Sequence, residues 1–122
     1  MRIENRRLLT VRTSGKDSFY LPSGMREPGE SDLDALLREV REEVSVRLLP
    51  DTLVSVGTFR APAHDYPPGT SVDVVCYMAD FEGEISPAAE IGEMAWLGPE
   101  DVERCAPAVR MVIGELRERG EL

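Results

Sequence analysis

The sequence predicts a mixed α/β fold, one sheet of short strands flanked by helices, and three observations carry that reading. Apolar residues recur at helical spacing in two separated segments, Ser31 to Val44 and the stretch from Pro107 onward. Short apolar runs bounded by Gly, Pro, Ser and Asp fill the intervals between them, as strands and turns do. Two of these runs, Leu53 to Ala61 and Ser71 to Phe81, face each other across a turn-rich loop. A hairpin in mid-chain favours a mixed sheet with helices against it over a doubly wound parallel sheet.

Taken in order, Ile3, Leu8, Leu9 and Val11 predict one or two short strands. A polar turn from Thr13 to Asp17 precedes a second apolar stretch, Phe19 to Leu21, which Pro22, Ser23 and Gly24 break. From Ser31 to Val44 the residues Leu33, Leu36, Leu37, Val40 and Val44 form an inward stripe, with Ser31 or Asp32 as N-cap. Val72 to Met78 is apolar at nearly every position, the pattern of an interior strand covered on both faces. The loop Pro62 to Thr70 separates it from the preceding strand. A short strand at Met94 to Leu97 leads to a last helix with Val109, Val112, Ile113 and Leu116 inward and Gly120 as its stop.

The chain has 122 residues, 42% hydrophobic and 30% charged, which suits a single domain over residues 1–122 with one core. At this length neither disulfides nor a structural metal is needed for stability. Cys76 and Cys105 lack zinc-site spacing and read as buried thiols. No apolar run is long enough for a membrane span, and MRIENRR has no secretion-signal character, so a cytoplasmic protein without membrane contact is expected. A net charge of −9 argues against nucleic acid as a partner. The charge is uneven, however: Arg2, Arg6, Arg7, Arg12 and Lys16 meet only Glu4 in the first sixteen residues, where a small anionic ligand would be received.

At about 100° per residue, Glu39, Glu42 and Glu43 share an arc of roughly 100° on the first helix, set apart from the leucine stripe. Like charges at i and i+4 repel by a few tenths of a kcal/mol, and a divalent cation relieves that repulsion better than Arg38 or Arg41. Hard cations such as Mg²⁺ take carboxylate and phosphate oxygens together. By itself a Glu-rich helix face is ordinarily just solvated.

The spacing of Gly24, Glu30, Arg38, Glu39, Val40, Glu42, Glu43 and Val46 goes further. This segment resembles the Nudix box, GX5EX7REUXEEXGU with U aliphatic, and a looser likeness takes in Leu21, Pro22, Glu90, Ile91, Glu93 and Trp96. At background frequencies of about 6 to 7% per residue, agreement at its six fixed polar or glycine positions is expected by chance less than about once in ten million starts. The last glycine of the box is Ser45 here, at a helix exit where glycine's access to positive φ helps. The first of the usual two glycines before the helix is Ser23, which keeps the backbone carbonyl that binds metal in such enzymes. The first strand is also shorter than is usual. Either a second copy covers that edge, as a homodimer, or the true start lies upstream.

The resemblance implies a Nudix-type α/β/α sandwich and Mg²⁺-dependent hydrolysis, with Mn²⁺ as a substitute, of a nucleoside diphosphate linked to another moiety. A small nucleotide, most simply a nucleoside triphosphate or a modified one, is the implied substrate. It also implies Glu39, Glu42, Glu43 and the Ser23 carbonyl as metal ligands, Arg38 as the residue orienting Glu39, and Glu30 as loop support. The base that activates water is a box glutamate or one from the later segment, Glu90 or Glu93, with Glu90 preferred as an additional ligand. For the substrate, Gly24 in the box turn, Arg12 and Lys16 at the mouth, and His64 and Tyr66 in the loop between strands are the candidates. Phe19 and Phe59 read as core, and so does Trp96, for which base stacking is the alternative. A Nudix-fold nucleotide sensor without catalysis is the other reading of the whole chain.

Overall fold

The computed structural model describes residues 1–22, 27–62, 67–88 and 90–122. Its strands are β1 (Ile3–Glu4), β2 (Arg7–Thr13), β3 (Arg47–Leu48), β4 (Val54–Pro62), β5 (Ser71–Met78), β6 (Phe81–Glu82) and β7 (Ile91–Leu97). The helices are α1 (Asp32–Val44) and α2 (Pro107–Glu118). The described strand pairs are antiparallel, β1 with β2, β2 with β7, β3 with β6, and β4 with β5, while an isolated bridge between Phe19 and Cys105 is parallel. No described helix is long and apolar enough to cross a membrane.

The β2–β7 ladder is the wall on which both helices lean, and side-chain alternation assigns its two faces. Leu8 and Leu97, which pair directly, belong to the cluster formed with Val109, Val112, Ile113 and Leu116 of α2. Val11 and Met94, also a pair, belong to the cluster formed with Val40, Val44 and Val46 on the α1 side. Helix, sheet and helix make the α/β/α sandwich. Thr10 is fully buried in this wall, and its hydroxyl donates to the Ala95 carbonyl at 2.8 Å, which satisfies the polar group.

Both helices begin as their sequences dictate. Ser31 caps α1 by accepting the Asp34 N–H at 3.1 Å. Pro107 opens α2, where a missing N–H is no loss, and all four predicted inward residues are buried. The stripe of α1 is narrower than expected. Leu33 lies within about 20° of Val40 around the helix yet stays exposed, because the first turn overhangs the packed surface that Leu36, Val40 and Val44 reach.

Two further expectations are corrected. The segment Val72 to Met78 is not covered on both faces: β5 pairs with β4 alone among the described strands, and Val75 is 43% exposed. Cys76 and Val74 pack toward α2, whereas Val75 alternates to the outer face, where a β-branched residue is favoured by strand geometry as well as by burial. The strand also ends at Met78, and Phe81–Glu82 instead pairs with Arg47–Leu48. The β1–β2 hairpin turns on Asn5 and Arg6, both with positive φ (52° and 60°), the two-residue turn whose twist matches flanking strands. Arg6 also donates to the carbonyls of Gly120 and Leu122 at 3.0 and 3.1 Å, tying the hairpin tip to the end of the chain.

Candidate functional site

The outer side of α1 is organised by one guanidinium. Arg38 donates through Nε and Nη2 to the two carboxylate oxygens of Glu30, at 2.8 and 2.9 Å, a bidentate pair that fixes the segment before the helix against it. Its Nη1 donates to Glu39 Oε1 and lies 3.4 Å from Glu42 Oε2, one helical turn on. Glu27, which the sequence reading passed over, stands 3.8 Å from the same nitrogen. Its backbone N–H donates to Glu30 at 2.7 Å. A glutamate eleven residues before an arginine carries no distinguishing sequence signal, so only the fold shows that Glu27 belongs to the cluster.

The hydrogen bonds from Arg38, and then the one from the Glu27 N–H, pull the Glu30 carboxyl down to about 2. The hydrogen bonds to Glu30 first and Glu39 second push Arg38 further up. Since Glu30 titrates lower in the folded chain than its ordinary 4.5, its contribution to stability is fully present above that value and is lost as pH falls toward 2. Thermal melts across that range should therefore show wild type losing stability more steeply with acid than Glu30→Gln does. Parallel curves would remove the pair from the account of stability.

The C-terminal end of α1 is closed by the segment leading into β7. The Ser86 N–H donates to the Val44 carbonyl at 3.0 Å, and the Ala88 N–H to the Glu43 carbonyl at 2.9 Å. These are carbonyls that no later helical N–H reaches. Ser45, with φ 69° and ψ 15°, takes the left-handed position, and its own N–H returns to the Arg41 carbonyl. Glu90 follows on this strap, its carbonyl accepting the Ser14 N–H at 2.8 Å, and is exposed. Glu93 is placed differently. Arg12 pairs with it at 3.2 Å, and both alternate with Thr10 and Ala95 to the α2 side of the sheet. Arg12 and Glu93 are thus joined to each other, while the α1 carboxylates lie across the sheet from them. Lys16 sits in the exposed turn that follows, its carbonyl accepting from Arg12. Ser23, Gly24, His64 and Tyr66 lie outside the described residues.

Trp96 corrects the expectation of core packing, since it is 36% exposed. It pairs with Leu9 on the α1 face of β7, a strand with no described neighbour beyond it. Phe19 is buried and Phe59 packs against the α2 cluster, as expected. Beneath α1 a small apolar cleft of about 40 Å³ runs between Leu9, Leu36 and Val40 on one side and Tyr77 and Phe81 on the other.

A model of the family described as NUDIX domain matches residues 1–113. The chain belongs to the NUDIX domain family. Among curated relatives, the 8-oxo-dGDP phosphatase NUDT18 of Homo sapiens is 51% identical over 41 residues, which is 34% of this chain and 13% of that protein. The ORF135 protein of E. coli superposes with a TM-score of 0.69 at 25% identity, over 94% of this chain and 84% of that one. The dihydroneopterin triphosphate pyrophosphohydrolase of E. coli gives 0.70 at 23% identity over 92% and 86%, a likeness of fold.

The donors on the Nudix helix suit a hard divalent cation in kind, being carboxylate oxygens throughout. Among the described residues no three acidic, His or Cys side chains close on a single point. Glu39 and Glu42 are drawn instead onto Arg38, which supplies the positive charge between them.

Proposed function

We propose that this Nudix domain hydrolyses the pyrophosphate bond of a small nucleotide, a nucleoside triphosphate or a modified nucleotide, with Mg²⁺ or Mn²⁺. The observation that carries this is the gathering of Glu30, Glu39 and Glu42 around Arg38 on one side of α1. A merely solvated helix face has no need to gather three carboxylates on a single guanidinium, since like charges brought near one another repel. Glu39, Glu42, Glu43 and the Ser23 carbonyl are the groups that would hold the cation, which supplies charge neutralisation on phosphoryl oxygens and a more acidic water.

The chain's own residues do the rest. Arg38, locked by Glu30, keeps Glu39 from swinging into solvent, so the carboxylate face needs little reorganisation when substrate arrives. Glu90, on the strap closing α1, takes the proton from the attacking water as the phosphate leaves in line. Its place on the strap whose Ser86 and Ala88 amides grip the end of α1 favours it over Glu93, which Arg12 occupies on the other side of the sheet. Trp96, on the α1 side of β7, offers the base a stacking surface.

The test is phosphate release from nucleoside triphosphates, 8-oxo-dGDP, nucleotide sugars, ADP-ribose and dinucleoside polyphosphates, with coupling enzymes suited to each product. The 8-oxo-dGDP is included because the NUDT18 match names it. Turnover of at least one compound with Mg²⁺ or Mn²⁺, abolished by chelator, is the expected outcome. Silence from folded protein that still binds nucleotide in chelator would replace the hydrolase with a sensor.

A further inference from the structure

We infer that Ser45 is a positioning residue, fastening the strap that carries Glu90 to the end of α1. Three observations converge on it. Ser45 occupies a left-handed conformation, φ 69°, which glycine adopts freely and serine does not. Its hydroxyl donates to the Ser86 carbonyl at 3.1 Å, a bond between residues 41 apart in sequence that glycine cannot make. That bond lies beside the two amide bonds, Ser86 to Val44 and Ala88 to Glu43, by which the strap grips the helix.

The conformation and the hydroxyl therefore pull in opposite directions. A glycine would relax the helix exit and lose the fastening, whereas serine keeps the fastening at the expense of local strain. The strap's described course from Ser86 has Glu90 at its far end, where the next backbone anchor is Ser14 on the opposite side. Slack at Ser86 is transmitted to Ala88, to its bond with the Glu43 carbonyl, and so to the spacing between Glu43 and Glu90. Those are two of the acids given chemical roles above, and the activity arm of the test rests on that hydrolase reading.

Ser45→Gly is the informative variant, with Ser45→Asn beside it, since asparagine tolerates the left-handed region and restores a donor. Amide exchange in the full chain reads the fastening directly. Ser86 and Ala88 should lose about fivefold in protection in Ser45→Gly, the worth of one ordinary hydrogen bond, with Ser45→Asn recovering it and the melting temperature of Ser45→Gly no lower than wild type. Unchanged protection at both amides overturns the inference. On a substrate found in the panel, kcat of Ser45→Gly should fall about fivefold with KM unchanged and be regained in Ser45→Asn. Protection lost with kcat intact would make the bond merely structural and likewise overturn positioning. A wild type without turnover would fail the hydrolase reading, while amide exchange still decides the fastening.

Discussion

Glu43→Gln is expected to lower metal-dependent turnover by at least about a hundredfold while the chain stays folded. The variant removes one negative charge and keeps the shape of the side chain, and Glu and Gln have nearly the same helix propensity. The Glu43 backbone carbonyl, which receives the Ala88 N–H, is untouched by the substitution. Rates with saturating Mg²⁺ and a melt on the same sample make the comparison. A folded Glu43→Gln that turns over at the wild-type rate would remove the carboxylate face from the mechanism.

Arg38→Ala should reduce turnover by about ten- to a hundredfold, as the loss of a residue orienting metal ligands commonly does, and should lower the melting temperature as well. The guanidinium meets Glu30, Glu39 and Glu42 within 3.4 Å, so its removal leaves those acids facing one another with their shared cation gone. Arg38→Lys should rescue little. An ammonium is a point charge and cannot hold both oxygens of Glu30 while reaching the helix with a third nitrogen. Added Mg²⁺ should raise the melting temperature of Arg38→Ala more than that of wild type, because the acids then lack the counter-charge that Arg38 supplied. Equal shifts in the two proteins would show that Arg38 and a divalent cation do not act on the same carboxylates.

Much of this site was legible before any coordinates because its signals are local. Glu30, Arg38, Glu39 and Glu42 lie within thirteen consecutive residues of the sequence, and helical periodicity alone puts three of them on one side of α1. The inward residues of α2 were equally plain, since all four recur at the spacing of a single helical face. What escaped is non-local or made by the backbone. The β3–β6 pair has two residues on each strand, too few to show any period. The strap over α1 is fastened largely by amides and carbonyls, which every residue possesses. Arg6 is not a residue expected at positive φ, so the turn at Asn5 and Arg6 left no sign. Trp96 misled because its neighbours Met94, Ala95 and Leu97 are apolar. A strand pairs its residues across a ladder, however, and the exposed position on the α1 face of β7 fell to the tryptophan.

The shared wall of β2 and β7 also bears on how the chain is made. Thr10 and Ala95, which meet in that wall, are 85 residues apart, so a ribosome must release most of the polypeptide before the two strands can join. Until then the nascent chain carries a box helix whose apolar side, Val40 and Val44, has only the β2 half of its seat, and the seat for α2 is equally incomplete. Long-range closure of this kind comes late and slowly. The interval in which apolar surface stands open thus coincides with synthesis itself, and a cell expressing this domain has to shelter it until β7 has emerged.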